Sequence, residues 1–149
     1  MAIAIYAKKV SSYTTEQIQQ MERLSYKEGL LRFCLRSYHR NESIAAICTN
    51  NAGKIVGWAG VRLMPTKPFH GSKALKRAMR SHIVGVFVDH RYRRRGLARI
   101  LMSTLLRRLA KDRPNGLVWS DPKIRRWVAP IVRGYGLDPK GALSFSDQA

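Results

Sequence analysis

The spacing of apolar positions changes several times along this chain, and each change marks an element. Ile3 to Val10 alternates loosely between apolar and polar residues and predicts a first strand. After Ser11-Ser12, Thr14 followed three residues later by Gln17 has the form of a capping box, and Ile18, Met21 and Leu24 then fall on one side of a helix. Gly29 interrupts or ends that helix. Leu31, Cys34, Leu35 and Tyr38 recur at helical spacing and predict a second one, closed by His39 and Arg40. Ser43 to Thr49 and Lys54 to Leu63 read as strands, and Asn50-Asn51-Ala52-Gly53 between them is a hairpin signal because Asn and Gly tolerate positive φ. Gly57 and Gly60 inside the second run point to a bulge or a close backbone approach.

Pro65 to Arg80 breaks the pattern. Its proline-rich start leads into a short helical stretch from Ser72 that would set Lys73, Lys76, Arg77 and Arg80 on one face. Ile83 to Val88 is a nearly all-apolar run rich in β-branched residues, the signature of a buried strand. From Leu97 the apolar positions Ile100, Leu101, Leu105 and Leu109 follow helical spacing to about Lys111, with Pro114-Asn115-Gly116 as a stop. Leu117-Val118-Trp119 predicts a short strand, and Asp121-Pro122 an N-cap with proline at the first helical position. In the helix that follows, Ile124, Trp127, Val128, Ile131 and Val132 form the apolar stripe, with Pro130 inside it as an expected kink. Gly134-Tyr135-Gly136-Leu137 supplies C-cap chemistry, and Ala142 to Ser146 is the candidate for a last strand.

Composition fits one globular domain over residues 1–149, with a basic insertion at about 65–80: 45% of residues are hydrophobic and 9% aromatic. No apolar run has the length of a membrane span, and Met1 to Tyr6 lacks a signal peptide's charged start, so a cytoplasmic protein is expected. Cys34 and Cys48 lack metal-ligand spacing and read as buried reduced thiols. Charge changes the picture most. Twenty-eight Lys and Arg against nine Asp and Glu give a net +19, a field that attracts polyanions and repels polycationic substrates. Lys73, Lys76, Arg77 and Arg80 form either a solvated basic face or a grip on a polyanionic partner, nucleic acid or acidic protein.

A strand feeding a helix through a basic, glycine-bearing turn presents unpaired backbone N–H groups and the positive end of the helix dipole, which suits phosphate. Here that turn is Arg93-x-x-Gly96-x-Ala98. Preceded by a hydrophobic strand and followed by a long amphipathic helix, it resembles the acetyl-CoA pyrophosphate loop of the GCN5-related N-acetyltransferase (GNAT) family, usually written [Arg/Gln]-x-x-Gly-x-[Gly/Ala]. The resemblance covers roughly residues 40 to 137 and implies an α+β fold. It would have a mixed central sheet of about six strands and about four helices, in the order strand, two helices, three strands, helix, strand, helix, strand, with a C-terminus shorter than usual. It also implies an acetyl-CoA-dependent N-acetyltransferase, without a metal, acting by direct attack of an amine of a protein or other anionic substrate. Backbone N–H groups from Arg94 to Arg99 would cradle the pyrophosphate, with Leu97 among them. Gly96 and Ala98 would give it room, Arg93, Arg94 and Arg95 would add charge, and Val86 and Val88 would offer backbone groups to the pantetheine arm.

Proton transfer is where the chain departs from the family. Some relatives carry a carboxylate base eleven residues before the loop's first position; here His82 stands there, and histidine titrates near working pH. Aligning Gly136-Leu137 with the family's Gly-Phe puts Arg125 and Val132 at the usual Asn and Tyr positions. Neither serves as the usual acid. Tyr135, Ser120 and solvent are the remaining proton donors. The alternative reading is a catalytically inactive member used as a basic binding or assembly component.

Overall fold

A computed structural model describes residues 3–25, 43–64, 80–112, 117–119 and 122–139. Its strands are β1 (Ala4–Lys9), β2 (Ile44–Thr49), β3 (Ile55–Met64), β4 (Arg80–Val88), β5 (Leu117–Trp119) and β6 (Asp138–Pro139); its helices are α1 (Thr15–Leu24), α2 (Leu97–Asp112) and α3 (Pro122–Gly134). Spatial order in the sheet follows chain order. β1 to β4 are antiparallel neighbours, whereas β5 pairs parallel with β4 and β6 parallel with β5, as crossovers through α2 and α3 require. This is the α+β architecture expected of a GNAT fold.

Local chemistry sets the boundaries. Thr14 Oγ1 accepts from the Gln17 N–H at 3.1 Å while Gln17 Oε1 accepts from the Thr14 N–H at 2.9 Å, so the capping box starts α1. In the β2–β3 hairpin, Asn50 Oδ1 accepts from the N–H groups of Ala52 and Lys54, and Gly53 takes φ +76°. α3 ends in a Schellman motif: Gly136 at φ +75° donates to the Arg133 carbonyl and Leu137 to that of Val132. Pro130 lies on the exposed side of α3, and the helix runs through it to Gly134.

The sheet separates two clusters. On one face α1 packs Ile18 and Met21 against Ala45, Ile47, Ile55 and Trp58, and the Trp58 indole N–H donates to the Met21 carbonyl at 2.9 Å. On the other, α2 buries Leu97, Leu101, Met102, Leu105, Leu106 and Leu109 against β2, β3 and Ile83, and α3 adds Val128 and Val132. Two bulges adjust the faces. Cys48 pairs with Gly57 but Thr49 with Ile55, leaving Val56 as an extra residue in β3. Gly60 pairs with Gly85 but Val61 with Ile83, leaving Val84 as an extra residue in β4. Because side chains alternate with period two, one inserted residue swaps the faces beyond it; Ile83, Val86 and Val88 therefore all pack on the α2 side.

Two expectations are corrected, and one short strand appears where none was expected. Arg80 is the first residue of β4, opposite Met64 and Leu117, so it cannot continue a helical face with Lys73, Lys76 and Arg77. The polar triplet Arg80-Ser81-His82 hides a strand that is paired on both sides, which is why apolar patterning starts it only at Ile83. The strand after α3 forms at Asp138–Pro139, directly beyond the Schellman turn that aims the chain back along β5. Leu31 to Tyr38, Lys73, Lys76, Arg77, Ser120 and Ala142 to Ser146 lie outside the described residues.

Candidate functional site

β4 and β5 part company early. Their ladder has three rungs, Arg80–Leu117, Ser81–Val118 and His82–Trp119. Beyond His82 the strand bulges at Val84 and runs on to Val88, and among the described residues no strand pairs with that edge of β4. A cavity of about 390 Å³ opens there. Val86, Phe87 and Val88 form its strand side; Tyr92, Arg93, Arg94, Gly96, Leu97, Ala98 and Arg99 form the loop and helix side.

The loop is built to hold its backbone open. The Asp89 N–H donates to the Val56 carbonyl at 2.8 Å, extending the β3 contact past Val88. Asp89 Oδ1 accepts from the Arg91 N–H at 2.9 Å and caps a single 3-10 turn, His90–Tyr92. That hydrogen bond holds the Asp89 carboxyl below the usual carboxylate range, aided by the cations of Arg91, His90 and Lys54. The Arg93 Nε–H donates to the Val88 carbonyl at 3.0 Å, tying the loop to the end of β4. Arg94 then takes φ +64° and Gly96 φ +74°. A Cβ built on Gly96 would meet nothing within 4 Å, so its outward side is open space. The first α2 bond runs from the Ile100 N–H to the Gly96 carbonyl at 3.2 Å, and the N–H groups of Leu97, Ala98 and Arg99 have no intrahelical acceptor. Several backbone donors, a helix positive end and exposed guanidinium groups thus converge on one opening, an arrangement that receives phosphate oxygens.

Two cavity residues carry no sequence signal that separates them from structural ones. Tyr92 supports Arg95, whose guanidinium lies 5.3 Å from the ring centroid, and its hydroxyl receives a long 3.5 Å contact from the Asn50 amide. Phe87 packs its ring 5.4 Å from that of Trp58 and lies against Gly85, where a Cβ would come within 2.8 Å of the ring. A bulky residue at Gly85 or Gly60 would displace these rings; Gly57 instead admits Leu101 of α2 and the Phe87 carbonyl.

The residues singled out for acetyl-CoA lie together: Val86, Val88, Arg93, Arg94, Gly96, Leu97, Ala98 and Arg99 line the cavity, and Arg95 stands beside it on Tyr92. His82 occupies the last rung before β4 and β5 diverge, opposite Arg62 and Trp119. Val132 is a buried core residue, and Tyr135 packs partly buried against the same core, away from the cavity lining. Cys48 is a buried free thiol whose pKa is pushed up by burial. Among the described residues no group of three or more His, Cys, Asp or Glu could hold a metal ion, and no helix is long and apolar enough to cross a membrane.

A model of the acetyltransferase (GNAT) family matches residues 7–123. No curated protein matches the sequence. Among solved structures, a ribosomal-protein-alanine N-acetyltransferase from Brucella melitensis biovar Abortus 2308 is 14% identical with a TM-score of 0.54, covering 96% of this chain and 93% of its own. An aminoglycoside N-acetyltransferase, AAC(6')-Iy, in complex with CoA is 15% identical with a TM-score of 0.56, covering 97% and 93%. Glucosamine-6-phosphate N-acetyltransferase from Arabidopsis thaliana is 14% identical with a TM-score of 0.57, covering 88% and 90%. At such identities the likeness is one of fold.

Proposed function

Because the chain belongs to the acetyltransferase (GNAT) family, we propose that it is an acetyl-CoA-dependent N-acetyltransferase acting on an amine of a protein or other anionic substrate. One observation carries this reading: the cavity at the open edge of β4 is rimmed by the Arg93–Arg99 loop, with Gly96 facing open space and three N–H groups of α2 lacking intrahelical acceptors. That rim fits a pyrophosphate, and the edge of β4 at Val86 and Val88 fits an amide-bearing arm laid alongside it. CoA in the AAC(6')-Iy structure is consistent with the same use of the fold.

Acetyl-CoA would supply an activated thioester acyl group. The chain's own part is to anchor, orient and manage a proton. Phosphate charge is met by the backbone from Arg94 to Arg99 and by the guanidinium groups of the loop, so binding energy is gathered far from the reacting carbon. The acyl end then lies toward the point where β4 and β5 separate, and His82 is the last paired residue before it. His82 is our candidate base, because an imidazole can take the proton that an ammonium must lose before it attacks, or that an amine loses as it attacks, near neutral pH. With Val132 buried at the position of the usual acid, the leaving thiolate takes its proton from Tyr135, Ser120 or solvent; Tyr135's place outside the cavity lining favours solvent.

The test begins with binding. A ligand held only by the folded state raises its stability, by about 2.7 kcal/mol at a hundredfold excess over Kd. Acetyl-CoA is expected to raise the thermal midpoint of the purified protein, and the absence of any shift in a demonstrably folded sample overturns the assignment. His82→Ala should keep the shift and lose most transfer to an acceptor amine, a fall of about 10²–10⁴ if His82 is the base. A shift without transfer to any of a panel of protein, peptide and sugar amines would support the non-catalytic reading.

A further inference from the structure

Charge on this molecule is distributed unevenly in a way the cavity does not explain. Between Asp89 and Asp112 the chain carries eight Lys or Arg and no acid; between Asp121 and Asp138 it carries four more and no acid. These two stretches are the loop with α2, and α3, which pack on the same face of the sheet. The buried residues of α2 lie on one arc, and Arg99, Arg107 and Lys111 are exposed on the arc turned away from the sheet. On α3, Arg126 and Arg133 are exposed opposite the buried Val128 and Val132. Arg99 lines the cavity, but Arg107 stands eight residues further along, about 12 Å at a rise of 1.5 Å per residue, and Lys111 about 18 Å along. Neither Arg107 nor Lys111 lines the cavity. Arg107 and Lys111, four residues apart with like charge, repel each other, so the arrangement costs stability in isolation.

We propose that the α2–α3 face binds a nucleic-acid backbone, independently of the acetyl-CoA cavity and without sequence preference. Cations strung along two adjacent helices match a linear array of phosphates. Other partners fit less well. Protein interfaces rely on buried aromatic and apolar anchors, and a membrane-surface helix needs an apolar insertion face. Among the described residues the only large exposed hydrophobics are Tyr6, on β1, and Ile100, on α2. No motif for reading base edges accompanies the charge, so the contacts are to phosphate and their strength follows salt.

The experiment uses the full chain and a fluorescein-labelled, mixed-sequence DNA duplex of about 20 base pairs, titrated at several salt concentrations from about 50 mM upward. Binding should weaken linearly in log Kd against log salt. The triple variant Arg107→Ala/Lys111→Ala/Arg126→Ala should flatten that slope by about one per cation removed. Its acetyl-CoA thermal shift should stay as in the parent, since none of the three lines the cavity, and saturating CoA should leave the duplex bound. Should the triple variant lose stability, Arg107→Glu alone must weaken duplex binding. The proposal falls if the duplex does not bind at low salt, if the triple variant binds it with an unchanged slope, or if CoA displaces it, which would place the duplex on the loop alone. It falls equally if polyglutamate of matched charge competes as well as unlabelled duplex, the sign of an acidic-protein surface. Whether acetyl-CoA binds is read separately, from the thermal shift of the parent protein without duplex.

Discussion

Two residues of the loop hold left-handed backbone, and they differ in what that costs. Gly96, at φ +74°, has no Cβ to strain. Arg94, at φ +64°, pays the penalty of an L side chain there, of order 1 kcal/mol. Gly96→Ala should lower stability by about 1 kcal/mol from backbone strain alone, because its new methyl meets no protein atom. It should weaken acetyl-CoA binding by more than that loss, since Gly96 lines the cavity; isothermal titration beside a denaturant melt separates the two effects. Asp89 sets a pH-dependent term. Its folded pKa lies below the unfolded value of about 3.9, so its contribution is complete above that value and disappears as pH falls through the folded one. Asp89→Asn keeps an acceptor for the Arg91 N–H and loses only the charge. It should cost no more than about 1 kcal/mol at neutral pH, and the gap to the parent should close below about pH 4. A gap that persists in acid would show that the charge is not its source.

At the scale of elements, α3 carries its own flaw. Pro130 leaves the Arg126 carbonyl without its helical donor, and being exposed it returns no packing for the loss. Pro130→Ala should therefore raise stability, by up to about 3 kcal/mol, read as a higher denaturant midpoint with unchanged slope. The capping box, the Asn50–Gly53 hairpin, the Schellman turn and the strand-to-helix turn at Arg93–Ala98 were legible in the sequence, because each depends on residue types at fixed short offsets. The β4 bulge was not. One extra residue at Val84 cancels the alternation that would have revealed it, and the partner glycines Gly60 and Gly85 lie 25 positions apart. Arg94's backbone was equally hidden, since arginine does not advertise φ above zero. Phe87 and Tyr92 looked like ordinary core and turn residues until the cavity brought them to its wall.

For the molecule as a whole, a net charge of +19 on 149 residues is a standing repulsion within the folded state. Raising NaCl from about 0.01 M to 0.15 M shortens the screening length from about 30 Å to 8 Å. The thermal midpoint of the ligand-free protein should rise over that range; a midpoint that falls would mean that attractive pairs outweigh repulsion. One attractive cluster among the described residues is exposed and weak: the carboxylate of Asp89 faces Arg91 and His90 at 3.6 Å, and both partners are largely exposed.

The early parting of β4 and β5 has one more consequence. From Ile83 to Val88 the strand has β3 on one side and, among the described residues, nothing on the other. A sheet edge usually invites other chains, and proteins hide or blunt it at their periphery. This one lies in the middle of the sheet, beside the cavity lined by α2 and the loop. On the proposed reading, a slender molecule that brings its own amides would complete the ladder there. The edge that is an aggregation hazard elsewhere would then serve as a docking rail for the cofactor.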